Sequence, residues 1–85
     1  MSDLTADRFR AALDARFSRA KRQGHASLDV QAGDLHREVG AYPGPDHRMP
    51  TCCKTMREAM KSADRILVEP PKGNGASLVI RYRLS

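Results

Sequence analysis

Apolar residues recur at helical spacing over the first quarter of the chain. Within Leu4–Arg22 the apolar positions that share one face are Phe9, Ala12, Leu13, Phe17 and Ala20. Charged residues occupy much of the opposite face, so the pattern predicts an amphipathic helix over this range. Thr5 suits the N-cap, Leu4 and Phe9 have the spacing of a hydrophobic staple, and Gly24 supplies a left-handed residue that ends the helix.

A short strand and a second, shorter helix are predicted next. Ser27–Val30 alternates polar and apolar residues, which is typical of a strand with its apolar side chains facing the core. In Ala32–Val39, Leu35 and Val39 lie four residues apart on one helical face, and Gly40 follows as a stop signal. Two inward-facing anchors are enough for a helix of two turns.

A third helix follows a turn that is rich in proline. Residues 41–50 contain three prolines and one glycine, which predicts an ordered turn or loop with Pro50 opening the helix. Over Thr51–Ala63 a helical projection gives one apolar face, with Cys53 at its margin. That face comprises Cys52, Met56, Ala59, Met60 and Ala63.

Two strands are predicted at the C-terminal end. Ile66–Val68 is rich in β-branched residues, and Leu78–Leu84 alternates apolar with polar residues, so we expect the two runs to pair. Between them Pro70–Ser77 contains the Asn74–Gly75 step, which favours a tight reversal. The order α-β-α-α-β-β predicts an α+β fold with a small antiparallel sheet, in one domain that spans residues 1–85.

Size argues against catalysis and charge suggests a polyanionic partner. A chain of 85 residues builds one thin core with little room for an enclosed pocket, and no catalytic motif is present. We therefore expect a binding protein, not an enzyme, that uses no cofactor. Fifteen basic residues against ten acidic ones give a net charge of +5, which favours nucleic acid unless the charge only maintains solubility.

The cysteines and the N-terminal segment indicate a cytoplasmic protein. Cys52 and Cys53 are adjacent, and neighbouring cysteines rarely form a disulfide with each other. Met1–Ala20 contains no continuous apolar stretch of the kind found in signal peptides or membrane spans. We expect no membrane partner.

The order of these elements resembles the winged helix-turn-helix family across nearly the whole chain. In that family the third helix usually enters the major groove of DNA, and the hairpin loop, called the wing, lies against the neighbouring backbone or the minor groove. The resemblance implies that Thr51–Ser62 and Pro70–Ser77 have these roles. It also implies double-stranded DNA as the partner, a small transcriptional regulator or accessory DNA-binding protein as the function, and either a monomer or a homodimer as the binding unit.

Three segments also resemble a group of short uncharacterised bacterial proteins, a likeness that carries no established activity. The segments are Gly33–Arg37, Tyr42–Cys53 with the sequence YPGPDHRMPTCC, and Gly75–Leu84. One departure from the winged helix pattern concerns the turn before the third helix, which is about ten residues long where the simplest helix-turn-helix has three or four.

The candidate DNA contacts lie on the third helix, just before it, and in the wing. Lysine and arginine supply charge for phosphates, threonine supplies hydroxyls, and the planar fork of Arg57 suits a guanine edge. The full set is Arg48, Thr51, Lys54, Thr55, Arg57, Lys61, Lys72 and Asn74. The alternatives are an ordinary solvated helix face and a plain hairpin turn. Arg81 and Arg83, on the outward face of the last strand, either extend this basic surface or solubilise a sheet edge.

The residues also offer two chemical sites and one other function as alternatives to DNA binding. His36, His47, Cys52 and Cys53 are of types that bind zinc, but structural sites space paired cysteines by two or more residues, so we expect no metal. A thiol at a helix start with His47 as base has the elements of a nucleophile, yet no recognised signature surrounds it. We expect Cys52 to be a core residue.

The alternative function is a protein-interaction adaptor on a winged helix scaffold, whose binding would depend little on salt.

Overall fold

The fold is α+β, as predicted, with three helices and a three-stranded antiparallel sheet among the described residues. The computed structural model describes residues 4–39, 49–71, 73 and 75–84, with side chains from residue 6 onwards. The elements in chain order are α1 (Leu4–Arg22), β1 (Ser27–Gln31), α2 (Ala32–Val39), α3 (Met49–Glu58), β2 (Arg65–Val68) and β3 (Val79–Arg83). No helix in these ranges is long and apolar enough to cross a membrane.

Helix α1 has the predicted bounds and ends as its sequence indicates. Gly24 has a φ of 83°, in the left-handed region that glycine adopts at little cost. Its N–H donates to the carbonyl of Lys21 at 3.0 Å, and the N–H of His25 donates to that of Ala20 at 3.0 Å. This pair of bonds is the Schellman pattern, which satisfies carbonyls that the helix end leaves open.

The sheet has the order β1-β3-β2, with β3 antiparallel to both neighbours. The predicted pairing of β2 with β3 is confirmed, and Ile66 lies opposite Ile80. The suggestion that Arg81 and Arg83 solubilise a sheet edge is wrong, because β1 pairs with the other side of β3 and makes it the central strand. Arg81 instead forms an ion pair with Asp29, its partner across the strands, at 2.7 Å.

The core lies between the helices and the inner face of the sheet. Its largest fully buried members are Phe9, Leu13, Val30, Leu35, Cys52, Cys53, Met56, Leu78, Ile80 and Tyr82. The Tyr82 hydroxyl donates to the Met56 carbonyl at 2.7 Å, which satisfies a polar group that would otherwise be costly to bury. The ring of Tyr82 also contacts that of Phe17, with centroids 4.8 Å apart. β3 is thereby joined to both α1 and α3.

Helix α3 begins and ends earlier in the sequence than predicted, and it is shorter. It begins at Met49, one residue before Pro50, and ends at Glu58 where the pattern continued to Ala63. Ala63 is exposed, whereas Cys53, predicted at the margin of the apolar face, is fully buried. Beyond the helix, the Asp64 carboxylate accepts the backbone N–H of Lys61 at 2.8 Å and replaces a helical bond. The chain between Glu58 and Asp64 carries no glycine or proline to signal this ending.

Candidate nucleic-acid interface

The outer face of α3 forms an open groove of about 440 Å³, lined by Pro50, Thr51, Lys54 and Arg57. We call these four residues the α3 groove. Lys54 is exposed and has no acidic partner among the residues that the structure describes, while Thr51 is half-buried. The helical repeat places these side chains on one side, because positions three or four apart share a face. Three of the eight predicted contact residues, Thr51, Lys54 and Arg57, therefore lie together.

Arg57 connects α3 to the loop between β2 and β3. Its Nη2 donates to Oε1 of Glu69 at 2.7 Å and also to the backbone carbonyl of Gly73. Its side chain is only 30% exposed. The Arg57 guanidinium is thus held by two groups that lie 12 and 16 residues further along the chain.

Two more contacts fix the β2–β3 loop against the helices. The Cys53 thiol donates to the carbonyl of Gly75 at 3.5 Å, and the Gly33 N–H donates to that of Ala76 at 3.0 Å. A Cβ on Gly33 would lie 3.1 Å from that of Ala76, a spacing that requires a neighbour to give way. The close approach of α2 to the loop thus explains a glycine inside a helix. Gly73 has a φ of 82°, in the left-handed region that favours glycine, and its N–H donates to the Pro70 carbonyl at 2.9 Å.

Several predicted contacts do not belong to the α3 groove. Thr55 is buried, with 6% exposure, because it flanks the core stripe of α3, so its assignment to the outer face is wrong. Lys61 lies beyond the end of the helix, in a depression that it shares with Lys21 and Arg83. Arg48, Lys72 and Asn74 lie outside the described residues, as does His47.

Most of the excess positive charge is on α1, although none of the DNA contacts predicted from the sequence lies on this helix. This helix contains six basic residues, Arg8, Arg10, Arg16, Arg19, Lys21 and Arg22, against the acidic Asp7 and Asp14. Arg10 is paired with Asp14, and Arg16 with Glu38, each at 3.1 Å. The other four are exposed and form no ion pair within the described part of the chain. Counting charges element by element would have revealed this surplus.

The buried cysteines and His36 lie in the core. Desolvation raises the pKa of the Cys52 thiol from its ordinary value of 9.0 to about 12, and it raises the pKa of Cys53 as well. The ring of His36 is buried against Phe9, with centroids 4.9 Å apart. Within the described ranges, no three His, Cys, Asp or Glu side chains are grouped as a metal site requires. Packing is thus the role that the structure assigns to Cys52.

The raised thiol pKa values predict slow alkylation of the folded protein. At pH 8 with iodoacetamide, we expect both cysteines to react far more slowly than after unfolding in urea, because the thiolate is the reactive form. Mass spectrometry of timed samples measures the difference. Fast labelling at pH 8, while circular dichroism still reports a folded chain, would contradict the burial of Cys52 and Cys53.

The same burial predicts a loss of stability at alkaline pH. The Cys52 thiol ionises near 9 when unfolded and near 12 when folded, so its contribution is complete below pH 9 and declines as the pH rises toward 12. The expected slope is about 1.4 kcal/mol per pH unit for one group. Urea unfolding at a series of pH values tests the sign, and a midpoint that rises between pH 9 and 11 would contradict it.

Comparisons with protein-family models, curated protein sequences and solved structures found no match to the chain.

Proposed function

We propose that the protein binds double-stranded DNA, with the α3 groove and the β2–β3 loop facing the duplex in the manner of a winged helix-turn-helix. The observation that carries this proposal is the Arg57 contact, which joins the outer face of α3 to Glu69 and Gly73 of the loop. The helix and the loop thereby form one continuous surface. We further propose that the protein acts as a small transcriptional regulator or accessory DNA-binding protein.

The dimensions and chemistry of this surface suit a duplex. An α-helix fits the major groove of B-DNA, and a helix presented beside a hairpin loop can contact bases and backbone together. Lys54, exposed at the middle of the α3 groove, supplies a charge for a phosphate, and the hydroxyl of Thr51 supplies a directional hydrogen bond. The net charge of +5 attracts the polyanion over a longer range.

Arg57 has a positioning role in this proposal. Its guanidinium holds the loop through Glu69 and Gly73, so it sets the angle between the loop and α3. The sequence suggested that Arg57 contacts a guanine edge. That contact requires Arg57 to break its ion pair with Glu69 first. Lys54 is therefore the better residue for a first test of DNA contact, since its loss removes a charge without removing a structural bond.

Lys54→Gln should weaken binding to every duplex by a similar factor and lower the slope of log K against log salt by roughly one, because one phosphate contact is lost. Fluorescence anisotropy with two unrelated labelled duplexes over a salt series measures both quantities. Arg8→Gln is the control, since it removes the same charge from an exposed position on α1. Equal effects of the two substitutions would show that only net charge matters and would remove the α3 groove from the proposal.

A further inference from the structure

A second group of basic side chains meets where three distant segments come together. Lys21 comes from the last turn of α1, Lys61 from the turn after α3, and Arg83 from the end of β3. They line one depression of about 60 Å³, and Lys61 and Arg83 also line an adjoining depression of about 350 Å³ with Ser62. We call Lys21, Lys61 and Arg83 the basic cluster. The topology brings them together although they span 62 positions of the chain.

The backbone beneath the basic cluster is held in place by Asp64. Its two carboxylate oxygens accept the backbone N–H groups of Lys61 at 2.8 Å and of Arg83 at 2.7 Å. Charge-assisted bonds of this kind are among the stronger hydrogen bonds in proteins. The third segment of the cluster, α1 with Lys21, is packed against β3 through the edge contact between the rings of Phe17 and Tyr82. The three side chains thus extend from fixed backbone positions.

The basic cluster is more positive than the α3 groove: its three cations stand against one carboxylate, Asp64, which lines the same depressions and accepts two backbone N–H groups. Lys21 and Lys61 are exposed and form no ion pair with any residue that the structure describes, and Arg19 and Arg22 lie in the same last turn of α1. In the α3 groove, by contrast, Glu69 pairs with Arg57, and Glu58 follows directly. Cations in the last turn also stabilise a helix through its dipole, which accounts for the α1 residues but not for Lys61 and Arg83.

We infer that the basic cluster is a second binding site for the phosphodiester backbone of DNA, separate from the α3 groove. This inference rests on the proposed function and adds a second source of electrostatic attraction to it. A contact between a basic side chain and a phosphate does not depend on the base sequence, so the basic cluster contributes affinity and salt dependence but no sequence preference.

The test compares Lys21→Gln/Lys61→Gln with the wild type on a labelled duplex by anisotropy over a salt series. We expect the double variant to bind every duplex roughly tenfold more weakly at low salt and to lower the salt slope by roughly two, since two phosphate contacts are lost. Arg8→Gln serves again as the control. Arg8 lies 13 residues from Lys21 on α1, about 20 Å along the helix axis, which exceeds the screening length of about 8 Å at physiological salt.

The outcomes separate this inference from the proposed function. If Lys21→Gln/Lys61→Gln weakens binding no more than Arg8→Gln does while Lys54→Gln weakens it more, the basic cluster is excluded and the α3 groove stands. If Lys21→Gln/Lys61→Gln weakens binding and Lys54→Gln does not, the basic cluster stands and the α3 groove is excluded. Absence of duplex binding by the wild type would overturn both. Circular dichroism of each variant verifies that these exposed substitutions leave the fold intact.

Discussion

Met56→Asp should leave the chain unfolded at 25 °C. The Met56 side chain has no exposed surface, and its backbone carbonyl accepts the Tyr82 hydroxyl that joins α3 to the sheet. A lone carboxylate at this position has no partner, and substitutions of this kind cost about 4 kcal/mol or more. Domains of this size have only about 5 kcal/mol or little more to lose. Circular dichroism should therefore show the loss of the helical signal.

Lys54→Asp provides the matched control for this experiment. It introduces the same carboxylate into the same helix, two residues away, but at an exposed position. Exposed substitutions usually change stability by about 0.5 kcal/mol or less, so we expect a thermal midpoint near that of the wild type. If Met56→Asp unfolds at the wild-type temperature, the orientation of α3 is wrong, and Lys54 no longer belongs to an outer face.

Arg57→Ala should reduce both stability and DNA affinity. Removing the guanidinium breaks the bonds to Glu69 and to the Gly73 carbonyl, which we expect to cost roughly 1 to 2 kcal/mol of unfolding free energy. The part of the loop at Glu69 and Gly73 is then released from α3, so affinity for duplex DNA should fall by roughly tenfold or more, the range for a lost specific contact. Urea unfolding and fluorescence anisotropy measure the two effects.

Arg57→Lys distinguishes a positioning role from a simple charge. Lysine keeps the positive charge but lacks the planar fork that bonds two acceptors at once. If Arg57 acts by holding the loop, Arg57→Lys should behave like Arg57→Ala in both measurements. If Arg57→Lys has the stability and the DNA affinity of the wild type, the positioning role is wrong, and Arg57 acts only as a surface charge.

Local signals made α1 and α2 predictable from the sequence. Periodicity over Leu4–Arg22 is long, and Gly24 stops the helix by its own backbone conformation, so the C-terminal end follows from neighbouring residues, whereas Thr5, predicted as the N-cap, lies inside the helix. The end of α3 does not follow from neighbouring residues, because it depends on a bond from the Lys61 backbone N–H to the Asp64 side chain. A projection that assumes a continuing helix therefore extended it to Ala63.

Only the part of the candidate site that lies on a single helix could be predicted from the sequence. Thr51 and Lys54 follow from helical spacing alone, and the same spacing should have assigned Thr55 to the core stripe. The Arg57–Glu69 pair joins residues that are 12 positions apart on different elements, and its formation depends on how the loop packs. The basic cluster depends on α1 ending beside β3, which no local pattern shows.

Titration of the wild-type protein against a labelled duplex, at salt concentrations from low to above physiological, tests the central claim most directly. If the protein binds DNA through phosphates at the α3 groove and the basic cluster, log K should fall linearly with log salt. With several phosphate contacts, the affinity should then fall by two or more orders of magnitude between the lowest and the highest salt concentration. Absence of binding at every salt concentration, with genomic fragments included, would contradict the account, and salt-independent binding would contradict its phosphate basis.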